Sequence, residues 1–141
     1  MKVVLGSDEK TGLTDAIGAA LARRGHVVDL IGPPAGEDLG WAEVGKELGR
    51  KVASGEADTG VLFCWTGTGA SIAANKVPGV RAALCTDAAT AAGARRYNDA
   101  NVLVMSLRLT SPTIAEEVLD AWFSAEVDPS ERANIDMLEQ A

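Results

Sequence analysis

The chain has 141 residues, 47% hydrophobic, 23% charged and only 4% aromatic, the proportions of one ordinary globular domain too short to be two. A chain of this size buries roughly two thirds of the surface its unfolded form exposes, so it needs no disulfide or metal to build a core. Lys and Arg total 13 against 20 Asp and Glu, a formal charge of -7, which repels phosphate polyanions and argues against nucleic acid or an anionic membrane as partner.

No apolar run approaches the ~20 residues needed to cross a bilayer. Met1 leads directly into Lys2-Val-Val-Leu-Gly6, a strand pattern rather than a signal peptide, and a cytoplasmic location is expected. Cys64 and Cys85 each end an expected buried strand and read as reduced thiols. The single histidine, His26, sets aside His-centred catalysis and zinc sites, and no metal or cofactor is expected.

Short apolar runs alternate with helical stretches along the whole chain, the pattern of βαβ units around a parallel sheet. Five strands are predicted: Val3 to Gly6, His26 to Ile31, Thr59 to Cys64, Val80 to Cys85 and Asn101 to Ser106. The last three are continuous apolar runs of the kind covered by helices on both faces. Leu13 to Arg24 presents Leu13, Ile17, Ala20 and Leu21 on one helical face and is closed by Gly25. After the rim loop Gly32-Pro-Pro-Ala-Gly36, Trp41 to Ser54 turns Trp41, Val44, Leu48 and Val52 inward. Ser111-Pro112 starts a helix over Thr113 to Phe123, with Ile114, Val118, Leu119 and Trp122 inward. Ser130 to Gln140 reads as a last helix with too few apolar positions for a core of its own, and is expected to dock on a partner subunit. The expected architecture is one α/β domain over residues 1–141, a Rossmann-like, open, doubly wound, five-stranded parallel sheet in three αβα layers.

Ligands of such sheets bind beyond the carboxyl ends of the strands. The candidates there are Ser7, Asp8 and Glu9 after the first strand, Cys64 to Ser71 after the third, Thr86 and Asp87 after the fourth, and Leu107 and Arg108 after the fifth. In Cys64-Trp65-Thr66-Gly67-Thr68-Gly69-Ala70-Ser71 alternate glycines let a ligand approach the backbone, and the helix that follows aims N–H groups outward, a geometry that binds an oxyanion. The same spacing also suits a tight strand-to-helix turn with nothing bound. A dinucleotide fingerprint fails, because Ile72 replaces the third glycine and Pro78 ends the helix after about two turns; a Walker loop fails for want of Gly-Lys-Ser/Thr. Cys64 stands beside those N–H groups, a setting that favours thiolate and suits a base or nucleophile, while a small buried apolar role is the alternative. Cys85 reads as core.

The run Cys64-Trp-Thr-Gly-Thr-Gly-Ala-Ser-Ile-Ala-Ala-Asn-Lys-Val-Pro-Gly-Val-Arg-Ala-Ala-Leu-Cys-Thr-Asp87 resembles the type B ribose-5-phosphate isomerase and galactose-6-phosphate isomerase family. So do Gly6-Ser-Asp8 and Asn98-Asp-Ala-Asn-Val102, and the likeness runs from Met1 to about Phe123. The resemblance implies a metal-free aldose-ketose isomerase of a small sugar phosphate, assembled as a homodimer or homotetramer with shared active sites. It implies that Cys64 is the base moving a proton between C1 and C2 through an enediolate, that Gly67, Thr68, Gly69 and Ser71 hold the oxyanion from the backbone, and that Asp8 relays protons with Thr66 beside it. Ser7, Glu9, Trp65 and Tyr97 would line the substrate, Asn98 would contact it from the neighbouring subunit, Arg108 sits where the family often has an arginine near the substrate, and Arg132 would hold its phosphate. Each also has a plain structural reading: Asp8 as a helix cap, Asn98 as a turn residue, Arg108 as a solvated charge.

Three departures concern the substrate. The family's Ser/Cys-Asp-His-x-Gly is here Ser7-Asp-Glu-Lys-Thr-Gly12, with Glu9 and Lys10 in place of the histidine. The histidine before Asn-Asp that opens a furanose ring is Tyr97, and a phenol is a poor base at neutral pH though it donates a hydrogen bond. Of two arginines four apart that hold phosphate, only Arg132 remains, with Lys10 or Arg96 as replacements. Trp65 stands where the family has glycine, and Trp41 falls near the family's Asp-Tyr-Pro loop; both fill space or stack on a sugar face. Three readings follow: an isomerase of ribose 5-phosphate, an isomerase of an open-chain substrate such as a tetrose 4-phosphate, and a non-catalytic sugar-phosphate binder. Retention of Cys64 and its loop argues against the third, and loss of both histidines against the first.

Overall fold

The computed structural model describes residues 1–139; Gln140, where the last predicted helix ends, and Ala141 lie outside the described residues. Five parallel strands, β1 (Lys2–Ser7), β2 (Val27–Ile31), β3 (Thr59–Cys64), β4 (Ala82–Leu84) and β5 (Val102–Ser106), lie in the order β2-β1-β3-β5-β4. The helices are α1 (Gly12–Arg23), α2 (Trp41–Ala53), α3 (Thr68–Asn75), α4 (Ala88–Asn98), α5 (Pro112–Ser124) and α6 (Arg132–Leu138). The doubly wound sheet expected from the sequence is present.

Alternation along each strand builds two cores, one per face. Val61 and Phe63 of β3 and Leu103 and Met105 of β5 pack with Ile17, Leu21, Val118, Leu119 and Trp122 of α1 and α5. Leu62 and Cys64, with Val102 and Val104, face Val44, Leu48 and Val52 of α2 and the alanines of α3. Helices α2 and α3 approach closely because Gly45 has no side chain: a Cβ there would lie 2.8 Å from Ala73 Cβ and 2.9 Å from the Ala70 carbonyl oxygen. This contact sets where the first turn of α3 begins.

Three elements add to the sequence reading. β4 is a three-residue, half-buried edge strand rather than a fully covered run, because β5 inserts between it and β3. Helix α4 had no apolar stripe to announce it, since its buried positions are Ala91 and Ala94; Asp87 caps it by accepting the Thr90 N–H at 2.8 Å, which pulls that carboxyl below its ordinary pKa and accounts for an acid at this strand end. Helix α6 docks on its own chain, through Ile135, 3% exposed, and through ion pairs of Arg81 with Glu139 and of Arg132 with Asp99. Met137 and Leu138 stay exposed on that helix.

The strand order reverses about β1 and β3, so connections leave their carboxyl ends toward opposite sides and open a crevice there. At the other end of the sheet Thr59 ties the layers: its hydroxyl donates to the Asn101 carbonyl at 3.0 Å and accepts the buried Trp122 indole N–H at 3.2 Å. Thr59→Val keeps the shape and strands both partners, so stability falls by about 1–3 kcal/mol, read in urea melts as a lower midpoint at unchanged slope.

Candidate active site

β1 ends at Ser7, which is fully buried and whose hydroxyl accepts the Glu9 N–H at 3.1 Å. Ser7 therefore supports the turn and is closed to a ligand, contrary to its assignment as a substrate contact. The turn presents Asp8, whose Oδ1 is buried without a hydrogen-bond partner. Burial first, and the neighbouring Glu9 charge second, push the Asp8 carboxyl above its ordinary pKa. Asp8 is not the cap of α1. That role belongs to Thr11 in a capping box, with the Thr14 N–H on Thr11 Oγ1 at 3.3 Å and the Thr11 N–H on Thr14 Oγ1 at 2.9 Å. The carboxyl is thus free for chemistry, while exposed Lys10 is paired with Asp15 at 2.8 Å.

Cys64 closes β3, 5% exposed, and its Sγ accepts the Gly67 N–H at 3.2 Å. Gly67 makes this possible with φ of +82°, and a Cβ there would meet Leu84 Cδ1 at 2.5 Å. Its N–H is spent on the sulfur. The first ladder bond of α3 runs from the Ser71 N–H to the Gly67 carbonyl at 3.1 Å, and the Thr68 N–H leans on Thr66 Oγ1 at 3.4 Å. Of the N–H groups that precede the ladder, that of Ala70 belongs to a fully buried residue, and that of Gly69, which lines the cleft, remains for an oxyanion, a narrower set than the Gly67-to-Ser71 loop expected. The Thr66 and Thr68 hydroxyls share a hydrogen bond of 2.8 Å.

Trp65 is pinned through its carbonyl, which accepts the Ser106 hydroxyl at 2.9 Å and the Arg108 N–H at 3.0 Å, while its indole is exposed. Trp41, read from periodicity as an inward residue of α2, is also half-exposed: as the first residue of the helix it lies over Gly69, with indole atoms 2.9–3.2 Å from where a Cβ would stand. Together Asp8, Trp41, Cys64, Trp65, Thr66, Thr68 and Gly69 line a cleft of about 300 Å³. The cleft thus brings in Trp41, which the resemblance had placed near the family's Asp-Tyr-Pro loop as a residue that fills space or stacks on a sugar face.

Other predicted residues lie elsewhere. Exposed Glu9 and Arg108 sit at the cleft's end of the sheet, and among the described residues the Arg108 guanidinium meets no carboxylate. Ser71 is half-buried one turn into α3. Tyr97 and Asn98 end α4 and line a separate hollow with Glu131, Asn134, Ile135 and Leu138. Arg132 pairs with Asp99 at 3.6 Å and Asp136 at 3.9 Å. Because α4 runs back to the amino end of β5, these three are a strand's length, about 15 Å, from the Cys64 end of the same chain. His26 is likewise remote, stacked on Phe123 at 4.3 Å. Both cysteines are free thiols, and burial pushes the Cys85 thiol up to about 12, the behaviour of a core residue. Among the described residues no cluster of three metal-ligating side chains occurs, and no helix is long and apolar enough to cross a membrane.

The family model described as Ribose/Galactose Isomerase matches residues 3–138. The D-erythrulose-4-phosphate isomerase of Pectobacterium atrosepticum is 35% identical over 130 residues, 91% of this chain and 86% of that protein. Ribose-5-phosphate isomerase B of Escherichia coli is 37% identical over 116 residues, 82% of this chain and 78% of its own. The solved structure of Clostridium thermocellum ribose-5-phosphate isomerase B matches with a TM-score of 0.92 at 35% identity, over 99% of this chain and 96% of that one. A cysteine and a spare carboxyl lining one cleft at the reversal of this sheet are thus set in a fold and sequence shared with isomerases end to end, and the chain belongs to the ribose/galactose isomerase family of sugar-phosphate isomerases.

Proposed function

We propose that the chain interconverts the aldose and ketose forms of an open-chain four-carbon sugar phosphate, erythrulose 4-phosphate and its aldose, without a metal. The observation that carries this reading is a small cleft holding Cys64 and Asp8 with no histidine, the only histidine being at the opposite end of the sheet. A tetrose 4-phosphate cannot close a furanose, because the oxygen that would close it carries the phosphate, so no ring-opening base is required. The similarity to a D-erythrulose-4-phosphate isomerase supports the same substrate. Ribose 5-phosphate is the competing substrate, favoured by the likeness to the type B enzymes; its furanose must be opened, and the cleft offers only Asp8 for that.

In this mechanism the Cys64 thiolate takes the proton from the carbon beside the carbonyl, and the C–H electron pair becomes the C1=C2 bond of an enediolate. Charge moves onto the former carbonyl oxygen, which faces the Gly69 N–H. The Asp8 carboxyl, held protonated more readily than an ordinary one, gives its proton to that oxygen and takes one from the adjacent hydroxyl. The Cys64 thiol then returns its proton to the other carbon, and both groups regain their starting states. Arg108 meets the phosphate from this chain. Tyr97, Asn98 and Arg132 reach it from a second copy, in a homodimer or homotetramer with shared sites.

Proton NMR in D2O tests the reaction. Erythrulose 4-phosphate gains deuterium at the carbon beside its carbonyl with wild-type protein, ribose 5-phosphate does not, and Cys64→Ala lowers turnover by about 10²–10⁴-fold; exchange of ribose 5-phosphate alone would replace the four-carbon reading.

Arg108→Ala raises KM for the phosphorylated substrate by about 10–100-fold, the loss of one charge-assisted hydrogen bond. Steady-state kinetics giving an unchanged KM would take Arg108 out of the site.

Asp8→Asn separates chemistry from stability. The folded pKa of Asp8 lies above its unfolded value, so its ionisation costs stability as pH rises through the folded value and costs nothing below the ordinary carboxylate range. Thermal melts are expected to show Asp8→Asn more stable than wild type at pH 7, with the gap closing in acid, while kcat falls at least about 10²-fold.

A further inference from the structure

Two of the three tryptophans in this chain stand at one cleft, and both leave about half of their surface to solvent, Trp41 at 49% and Trp65 at 55%. An exposed indole contributes little to folding, whereas the third, Trp122, is buried and hydrogen-bonded as a core residue is. The Trp41 ring and the Trp65 backbone are nevertheless held in place. Trp41 rests on the bare backbone of Gly69, where any side chain would displace it, and α2 is locked to α3 through Gly45. Trp65 is fixed at its carbonyl by Ser106 and the Arg108 N–H. Between them they bound the space in front of Cys64 and Asp8, and the roughly 300 Å³ that is left is at the small end for a ligand pocket.

We infer that Trp41 and Trp65 set an upper limit on substrate length: their indoles occupy the volume a fifth carbon would need, so the enzyme discriminates by chain length as well as by ring opening. The inference rests on the four-carbon reading above. Rigid aromatic walls suit this task, because one extra carbon pressed against them is rejected by steric conflict that a flexible side chain would relieve.

The test uses two ketoses that are both open-chain, erythrulose 4-phosphate and ribulose 5-phosphate, so that length is the variable and ring opening is not. Wild type is expected to favour the four-carbon ketose. Trp65→Gly and, independently, Trp41→Ala are expected to raise the five-to-four-carbon ratio of kcat/KM by about 10–100-fold, the range for one carbon in a shaped pocket, with melting curves showing both variants folded. A purely structural role would lower both rates together and leave the ratio unchanged, which would overturn the inference. So would wild-type turnover of ribulose 5-phosphate at a kcat/KM matching that of erythrulose 4-phosphate, a result that leaves the four-carbon activity itself standing. Failure of wild type to turn over erythrulose 4-phosphate would overturn the four-carbon reading, and the length limit with it.

Discussion

The parallel register between β1 and β3 is the constraint on which the site depends. Ser7 pairs with Phe63, so the next step along each strand brings Asp8 opposite Cys64 as the two chains leave the sheet. A slip of β1 by one residue would turn its side chains to the opposite faces and carry Asp8 out of step with Cys64, since the side-chain period of a strand is two. The slip is resisted by packing: Val3 and Leu5 belong to one core and Val4 to the other, and Gly6 is fitted under α2, where a Cβ would lie 2.9 Å from Val44 and 3.1 Å from Leu48. The placement of Asp8 beside Cys64 is therefore held by hydrophobic packing along the strands.

Around that pairing the molecule keeps features that folding alone would remove. Asp8 carries a buried oxygen with no protein partner, and two indoles stay half in water. Each is unfavourable for stability and useful for a site: a desolvated carboxyl exchanges protons near neutrality more readily, and a fixed aromatic wall shapes a cleft. By contrast, groups near the site with a structural task are fully satisfied, as with the Thr11–Thr14 box, the Asp87 cap and the Ser7 hydroxyl on the Glu9 N–H. This contrast separates the residues that act from those that support them.

The Gly67 turn shows how few atoms define the oxyanion donors. A left-handed glycine lets one N–H turn back to the Cys64 sulfur, and the following helix begins one residue later, which leaves Gly69 at the cleft before the first ladder bond of the helix. The alternate glycines of Gly67-Thr-Gly69 thus have different reasons. Gly67 is required by its backbone angle and by Leu84, Gly69 by the indole that lies on it.

Much of this was legible in the sequence because it is encoded locally. Continuous apolar runs gave β3 and β5 within a residue, Ser111-Pro112 marked the start of α5, and the Cys64-to-Ser71 pattern located the site and its family. What tertiary structure decided are matters of neighbourhood. Which strand lies at an edge made β4 short and half-buried, although its residues read as a covered run. A helix buried through Ala91 and Ala94 has almost no hydrophobic contrast, so α4 emerges only when packed. Trp41 sits at a period that matches the core, yet its place at the first turn of α2 carries it past the end of the sheet and onto Gly69. The direction of α4 removes Tyr97, Asn98 and Arg132 from the Cys64 end of their own chain, because a crossover helix runs antiparallel to the strands it joins. Sequence alone thus determined the fold class, the family and the position of the Cys64 loop through residue type and short-range spacing. The walls of the cleft and the membership of the site were left to tertiary packing, since both depend on residues distant in the chain that no local period relates.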